Sequence, residues 1–260
     1  MSGRLQGKTA IVTGSNRGIG RAIAGRLAAE GARVVLSARD HALLTAAVQE
    51  IGNAGGCAAA LPLDLRKQEA AARLVEFTCA TFGLPDIIVN NAGATKRGDF
   101  FDLSEEDWSD GFALKFFGAV RLTRAAWPHL KERGGSVVNI SGVGGRMPGP
   151  YFTIGGSVNA ALLSFTKAMA DVGVRDGVQV NAINPGSIRT ERFRRLLAQQ
   201  AAEQNIALEH AERKIIENGK ITRIGEPDDI AALVAFVVSA EGRLLQGAII
   251  DMDGGATKVI

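Results

Sequence analysis

Short apolar segments alternate along this chain with longer stretches whose apolar residues recur at helical spacing. In the first such stretch, Ile19, Ile23 and Leu27 fall at positions i, i+4 and i+8, which gives a helix one apolar face. The short segments are β-branched or uniformly apolar, as in strands that are buried on both faces. The predicted strands are Thr9–Thr13, Arg33–Ser37, Ala58–Leu63, Asp86–Asn90, Ser136–Ser141, Val178–Asn184 and Ala248–Met252.

This alternation predicts βαβ units with right-handed crossovers, and therefore an α/β fold with a doubly wound sheet. We expect about seven mostly parallel strands with helices on both faces. Because no Pro/Ser-rich linker or repeat interrupts the chain, we expect residues 1–260 to form a single domain. The charged stretch from Glu191 to Lys220 predicts one or two amphipathic helices, which form a lid at about 190–222. Ligands of such sheets bind beyond the carboxyl ends of the strands.

A glycine-rich turn follows the first predicted strand and opens the first helix. Glycines permit a tight turn, and the free amides at a helix N-terminus attract phosphate. In this strand-turn-helix context the turn predicts dinucleotide binding in a Rossmann-type fold. The residues concerned are Gly14, Ser15, Asn16, Arg17, Gly18, Ile19 and Gly20.

The second strand ends in Ser37-Ala38-Arg39, without the acidic residue that would bind a free ribose 2′-hydroxyl. The Arg39 guanidinium suits a 2′-phosphate instead, and Arg17 places a second cation nearby. These arginines favour NADP(H) over NAD(H). The alternative is that both simply face water.

Composition and charge restrict the kinds of partner that this protein is expected to bind. The net charge is only +3, with basic and acidic residues interspersed, so an ordinary solvated surface is favoured over a nucleic-acid interface. No segment reaches the ~18 apolar residues of a membrane span, and the N-terminus lacks an apolar region, which predicts a cytoplasmic protein. Cys57 and Cys79 form no disulfide or zinc pattern and are predicted to be small core residues. The three histidines lie far apart in the predicted layout, so no metal site is expected.

Further landmarks follow the later strands, and with the glycine turn they carry a resemblance. Over essentially its whole length the chain resembles the short-chain dehydrogenase/reductase family. The landmarks are Thr13 to Gly20, Asp64, Asn90-Asn91-Ala92-Gly93, Asn184-Pro185-Gly186-Ser187-Ile188-Arg189-Thr190, Arg223 to Ala231, and Asp253-Gly254-Gly255.

The resemblance implies roles for cofactor-binding residues beyond the turn. It implies that Asp64, with Leu65 beside it, holds the adenine ring and that Asn91, Ala92 and Gly93 line the adenine ribose. It implies that Ile188 and Thr190, next to Pro185 and Gly186, seat the nicotinamide carboxamide. It also implies a homo-oligomer, a dimer or tetramer, through the helices starting near Trp108 and Gly155.

The chain departs from the family at the proton chemistry. The family uses an Asn, a Ser, a Tyr and a Lys, in which the Tyr transfers the proton and the Lys lowers the Tyr pKa. An unperturbed phenol, with a pKa near 10, is a poor base at neutral pH. At these four positions the chain carries Lys115, Gly142, Gly155 and Asn159. The intervals of 27 residues from Lys115 to Gly142 and 13 from Gly142 to Gly155 match the usual family spacing.

Three side chains are candidates for the missing chemistry. The chain has Lys115 where the family has an Asn, and Asn159 where the family has the Lys. Lys115 is therefore a candidate to restore the lost cation. The alternative is that Lys115 extends to solvent or pairs with Asp110 or Asp171. Ser141 is a candidate to hold the substrate oxygen, although a backbone hydrogen bond is favoured for its hydroxyl. Tyr151, the sole tyrosine, is a candidate acid or an ordinary packing residue of its loop.

Two functions are consistent with this sequence. One is an NADP-dependent oxidoreductase with a rewired site, acting on a small carbonyl or alcohol, because the cofactor scaffold alone can position the reactants. The other is an inactive NADP(H)-binding protein, a sensor or an oligomer partner. The cationic face of the 191–220 stretch, including Arg192, Arg194 and Arg195, is either solvated or recognises an acidic substrate.

Overall fold

The strands of the computed structural model, which describes residues 3–259, agree closely with the sequence prediction. Ends differ by at most one residue, as strand ends commonly do. The sixth strand, for example, starts at Gln179 instead of Val178, and the fifth ends at Ile140, so Ser141 lies just beyond it. The strands of the described range are β1 (Thr9–Thr13), β2 (Arg33–Ala38), β3 (Cys57–Pro62), β4 (Ile87–Asn90), β5 (Ser136–Ile140), β6 (Gln179–Pro185) and β7 (Ile249–Met252).

Helices connect the strands and cover the sheet. The α-helices within residues 3–259 are α1 (Gly18–Ala29), α2 (His41–Asn53), α3 (Ala70–Phe82), α4 (Glu105–Gly111), α5 (Gly118–Arg133), α6 (Thr153–Asp176), α7 (Glu191–Gln204), α8 (Leu208–Gly219) and α9 (Pro227–Val237). A π-helical segment, Phe112–Phe117, joins α4 to α5. Of the helices in this range, none is long and apolar enough to cross a membrane.

The strands form one parallel sheet in the order β3-β2-β1-β4-β5-β6-β7. The order reverses direction between β1 and β4, which creates the crevice where doubly wound sheets bind ligands. This arrangement confirms the predicted Rossmann-type fold class.

Alternate residues of the buried strands supply two cores, one on each face of the sheet. In β1, Val12 faces the core formed with α1 and α9, whereas Ile11 faces the core formed with α3 and α5. All five residues of β1 are buried. The continuous apolar run in the sequence therefore reflects a strand covered on both sides.

The prediction that both cysteines are core residues is wrong for Cys57 and borne out in part for Cys79. Cys57 is exposed, because it begins β3, which lies at the edge of the sheet, whereas Cys79 on α3 is half-buried and packs against the core that α3 and α5 form with the sheet. Burial at this edge depends on strand order, which a local apolar pattern does not reveal.

Two helices, α7 and α8, occupy the charged stretch that was expected to form a lid. They share a small apolar cluster in which Leu197 and Ala201 of α7 meet Ala211 of α8. Their inner side reaches the ligand crevice through residues such as Phe193 and Ile215. Movement of these helices as a lid stays a prediction.

Candidate active site

A cavity of about 1060 Å³ opens at the carboxyl ends of the strands. Its walls come from the β1–α1 turn, the segments after β2 to β6 and the first turns of α7. All the predicted cofactor-binding residues except Ser15 line it. The fold therefore brings the predicted cofactor-binding segments together around one cavity.

The β1–α1 turn forms a cradle that side chains would fill. Gly14 and Gly18 have φ values of 64° and 55°, and a Cβ on Gly20 would lie 2.3 Å from the Gly14 carbonyl oxygen. No side chain caps the N-terminus of α1, so its first amides stay available to a phosphate. Asn16, Arg17 and Ile19 also line the cavity here.

Ser15 is the predicted cofactor-binding residue that does not line the cavity. Its side chain is buried, donates a hydrogen bond to the Val12 carbonyl oxygen at 2.7 Å and accepts one from the Ser37 amide at 3.0 Å. Ser15 thus fixes the turn against β2 instead of facing the cavity.

The two arginines predicted to bind a 2′-phosphate differ in their surroundings. Arg39 lines the cavity and forms no ion pair within residues 3–259, whereas the Arg17 guanidinium lies 3.2 Å from a Glu191 carboxylate oxygen. The neighbouring Asp40 carboxylate accepts a hydrogen bond from the Leu43 amide at 3.0 Å and caps α2. Arg39 is therefore the arginine of this pair whose charge is open to a ligand.

The adenine-side residues have partners within the protein. Asp64 accepts hydrogen bonds from the amide and the guanidinium of Arg66, at 3.1 and 3.2 Å. The Asn91 side-chain amide donates to the carbonyl oxygens of Thr13 and Gly14, at 2.9 and 3.1 Å. Asn91 therefore ties the end of β4 to the glycine turn. Leu65, Ala92 and Gly93 line the cavity beside them.

The segment after β6 borders the other end of the cavity. Pro185, Gly186, Ile188 and Thr190 line it, as predicted from the resemblance. The Thr190 hydroxyl accepts a hydrogen bond from the Phe193 amide at 3.2 Å. Thr190 thus begins α7 and sets where that helix crosses the cavity.

Lys115 lies in the π-helical segment, a type of distortion that is frequent at functional sites. Its ammonium donates hydrogen bonds to Asn159 Oδ1 at 2.6 Å and to the Ser141 carbonyl oxygen at 2.7 Å. Its aliphatic stem crosses Gly93, where a Cβ would lie 2.8 Å from the lysine Cδ. The lysine and the asparagine that exchange places relative to the family thus meet at one point.

Lys115 has neither of the acidic partners weighed from the sequence. Asp110 pairs with Arg66 instead, and Asp171 is exposed on α6. The acceptors of Lys115 are neutral oxygens, and burial, followed by the positive charge of Arg192, lowers the pKa of Lys115 to about 7. The ammonium is therefore poised to lose its proton near neutral pH.

The space beside Gly155 is filled by the ring of Phe152. A Cβ on Gly155 would lie 2.0 Å from Phe152 Cζ, and one on Gly144 would lie 2.9 Å from Phe152 Cδ1. The ring lines the cavity and carries the Arg97 guanidinium 4.5 Å above its centre. A Cβ on Gly142 would in turn lie 3.0 Å from the side-chain nitrogen of Asn159.

The other two catalytic candidates are not presented to the cavity as acids. The Ser141 hydroxyl donates to the Asn159 carbonyl oxygen at 3.1 Å, which is the backbone hydrogen bond favoured from the sequence. Tyr151 is 63% exposed and does not line the cavity, because its short helical turn, Pro150–Phe152, directs the Phe152 ring inward instead. Of the two alternatives for Tyr151, this placement favours an ordinary loop residue over an acid.

Known proteins resemble this chain throughout its length. A family model described as enoyl-(acyl carrier protein) reductase matches residues 14–257. The chain belongs to the short-chain dehydrogenase/reductase family. An uncharacterized oxidoreductase of Mycobacterium tuberculosis is 37% identical over 98% of this chain and 94% of that protein. A probable tetrahydroxynaphthalene reductase of Zymoseptoria tritici is 33% identical over 97% of this chain and 96% of its own length.

Solved structures give the same result. L-sorbose reductase from Gluconobacter frateurii, complexed with NADPH and L-sorbose, superposes with a TM-score of 0.95 at 30% identity, covering 100% of both chains. A short-chain dehydrogenase from Burkholderia cenocepacia, in complex with NADP, has a TM-score of 0.85 at 34% identity and covers 97% of this chain and 99% of its own. This short-chain dehydrogenase/reductase is thus an oxidoreductase, with the general function of a reductase or dehydrogenase.

Sequence reasoning missed two cavity residues of this short-chain dehydrogenase/reductase. Phe152 precedes Gly155 by three positions, one helical turn, and that spacing was the available signal. Arg97 lies on the loop after β4 and gave no sequence signal, because the contact with Phe152 is made between distant parts of the chain.

Proposed function

We propose that this protein is an NADP(H)-dependent reductase of small carbonyl compounds in which Lys115 supplies the proton. The observation that carries the proposal is the Lys115 ammonium, held by Asn159 Oδ1 at 2.6 Å and the Ser141 carbonyl oxygen at 2.7 Å in the same cavity as the cofactor motifs, where burial lowers its pKa to about 7. A general acid works best when its pKa lies near the operating pH. The neighbouring L-sorbose reductase, with its bound NADPH and sugar, supports a small carbonyl substrate.

The described residues fit the cofactor. The glycine cradle and the uncapped N-terminus of α1 suit a diphosphate, and Arg39 offers a guanidinium without an ion-pair partner in the 3–259 range to a 2′-phosphate. This arrangement, together with the NADPH- and NADP-bound neighbours, favours NADP(H) over NAD(H). A reduced nicotinamide supplies a hydride, and with it two electrons, to the carbonyl carbon.

Lys115 completes the reduction at the substrate oxygen. An ammonium has three N–H donors, and two of them are held by Asn159 and the Ser141 carbonyl. The third N–H is available to the cavity, where it binds the carbonyl oxygen and transfers its proton. The products are an alcohol and the neutral lysine amine, which takes up a proton again from water.

Asn159 is the positioning residue of this arrangement. Its Oδ1 orients the ammonium, and its own backbone carbonyl is fixed by the Ser141 hydroxyl. Because Asn159 is neutral, it orients the ammonium without raising the lysine pKa as a carboxylate would.

Turnover measurements test the proposal. NADPH oxidation is followed with aldehydes, ketones, quinones and activated alkenes, beside a fluorescence titration of NADPH binding. We expect Lys115→Met to lower kcat by roughly 10²- to 10⁴-fold while NADPH still binds, because only the proton donor is lost. Lys167→Met, at an exposed lysine of α6, is the matched control. NADPH binding without any oxidation by the wild type would instead support the inactive, nucleotide-binding alternative.

We also propose that the protein forms a dimer or tetramer through the helices that start near Trp108 and Gly155. The family resemblance supports this assembly, and Phe117, 45% exposed just before α5, offers an apolar contact on that side. Light scattering that gives the mass of a single chain would contradict it.

A further inference from the structure

Besides Arg39, three arginines line the active-site cavity without a carboxylate partner among residues 3–259. They are Arg97, Arg192 and Arg195, called here the arginine cluster, and none of them forms an ion pair within residues 3–259. Other basic residues nearby are neutralised. The Lys96 ammonium lies 2.7 Å from Asp107, for example, and the Arg189 guanidinium lies 2.6 Å from Glu212.

Two members of the arginine cluster are held in place by neutral groups. The Arg97 guanidinium stacks on the Phe152 ring, 4.5 Å from its centre. The Arg192 guanidinium donates a hydrogen bond to the Thr95 carbonyl oxygen at 3.2 Å. These contacts orient the two guanidinium groups but leave their charges without an anion.

The positive charges of the arginine cluster repel one another, and no carboxylate within residues 3–259 pairs with them. Burial lowers the pKa of Arg97, and burial followed by repulsion from Arg97 and Arg195 lowers the pKa of Arg192. The positive charge of Arg192 also contributes to the lowered pKa of Lys115. All three side chains are exposed at the mouth of the cavity, and an anion bound among them would reduce their mutual repulsion.

We infer that the arginine cluster binds an anionic group, a carboxylate or a phosphate, on a substrate whose carbonyl faces Lys115. The inference rests on the proposed reductase function and names the substrate class of that site. Guanidinium groups match both anions, because their planar N–H donors can form paired hydrogen bonds with two oxygens.

The cofactor has phosphate-binding groups of its own elsewhere in the cavity. The uncapped start of α1 and Arg39 lie on the β1 and β2 turns, whereas the arginine cluster is linked to Phe152, Thr95 and Lys115. The cluster is therefore assigned to the substrate and not to the cofactor.

Matched carbonyl pairs test the inference with the NADPH-loaded protein. Levulinate is compared with methyl levulinate, and dihydroxyacetone phosphate with dihydroxyacetone, so that the two arms separate carboxylate from phosphate. We expect at least one anionic member to exceed its neutral partner in kcat/KM by roughly 10- to 100-fold, as hydrogen bonds to charged groups allow. Equal or better turnover of both neutral members overturns the inference.

Arginine variants show whether the cluster is responsible. Arg97→Gln and Arg192→Gln are expected to remove most of the preference for the anion. Arg194→Gln is the matched control, because Arg194 is an exposed arginine of the same helix that does not line the cavity. If Arg192→Gln weakens NADPH binding as much as it weakens use of the anion, the cluster belongs to the cofactor and the inference is wrong.

A binding measurement separates this inference from the proposed function. Pentanoate and glycerol 3-phosphate, which have no aldehyde or ketone to reduce, are titrated by calorimetry into wild type and Arg97→Gln, without cofactor and with NADPH, which leaves the alcohol of glycerol 3-phosphate unreacted. Binding that is lost in Arg97→Gln supports an anion site even if no turnover is found and the reductase proposal fails. If neither compound binds to the wild type, with or without the cofactor, the anion site is wrong, whatever the turnover measurements show.

Discussion

The ammonium of Lys115 on the π-helical segment donates a hydrogen bond to Asn159 Oδ1 on α6 across 2.6 Å. Relative to the family pattern the two positions have exchanged lysine for asparagine, yet the two side chains still meet. The structure therefore places a cation at the cavity from the π-helical segment instead of from α6. In the proposed function its own proton is the one transferred, since the resemblance implies that no tyrosine stands at the family position.

The pH profile of carbonyl reduction should follow Lys115. Because burial lowers the pKa of Lys115 to about 7, the donor is protonated below that pH and loses its proton above it. We expect kcat/KM to be level below about pH 7 and to fall about tenfold per pH unit above it, as for a single general acid.

Asn159→Asp provides the matched test of this assignment. A carboxylate this close to the ammonium raises the pKa of Lys115, so the falling limb should move by about one to three pH units to higher pH. If the falling limb of the pH profile is unchanged in Asn159→Asp, a group other than Lys115 causes it.

The free energy of unfolding should also depend on pH because the pKa of Lys115 is lowered in the folded protein. Between pH 7 and 10.5 the unfolded chain binds a proton at Lys115 that the folded protein does not, so stability rises with pH across that window. Relative to Lys115→Met, the wild-type free energy of unfolding should rise by at most about 1.4 kcal/mol per pH unit there. Urea unfolding at a series of pH values measures this difference, with Lys167→Met as the control. A difference that is constant with pH would contradict an enclosed ammonium.

The Phe152 ring and position 155 should be energetically coupled. An alanine Cβ at Gly155 meets the ring at 2.0 Å, so Gly155→Ala must displace Phe152 from beneath Arg97. We expect a destabilisation of about 1–3 kcal/mol, typical of overpacking. In the Phe152→Ala background the same change should be nearly neutral, a coupling that a double-mutant cycle of thermal or urea unfolding detects. Additive effects would place the ring elsewhere.

Cofactor preference should depend on Arg39 more than on Arg17. Arg39→Ala is expected to weaken NADPH binding by roughly 10- to 100-fold and to leave NADH binding unchanged, because it removes hydrogen bonds to a charged phosphate. Arg17→Ala should have a smaller effect, since its guanidinium already pairs with Glu191 at 3.2 Å. Fluorescence titrations with both cofactors compare the variants, and an equal loss for NADH would assign Arg39 to another part of the cofactor.

The sequence predicted those parts of the site that depend on local order along the chain. The strands were readable from their apolar runs, and the turn from Gly14 to Gly20 was readable because its glycines stand between a strand and a helix. The direction of the Ser15 side chain was not readable, because its partners Val12 and Ser37 depend on how β1 meets β2. Arg97 was not readable because its contact with Phe152 joins distant parts of the chain, whereas the spacing of Phe152 from Gly155 was a local signal that was missed.

The π-helical segment has a consequence for how the site tolerates change. In an α-helix each residue turns the next side chain by about 100°, so the winding of Phe112–Phe117 sets the angle between Lys115 and the buried face of α5. Leu114, next to Lys115 in this segment, packs against the same core as Leu122, Ala126 and Leu130. The direction of the cation and the packing of this helix on the sheet are therefore set together by the winding of six residues.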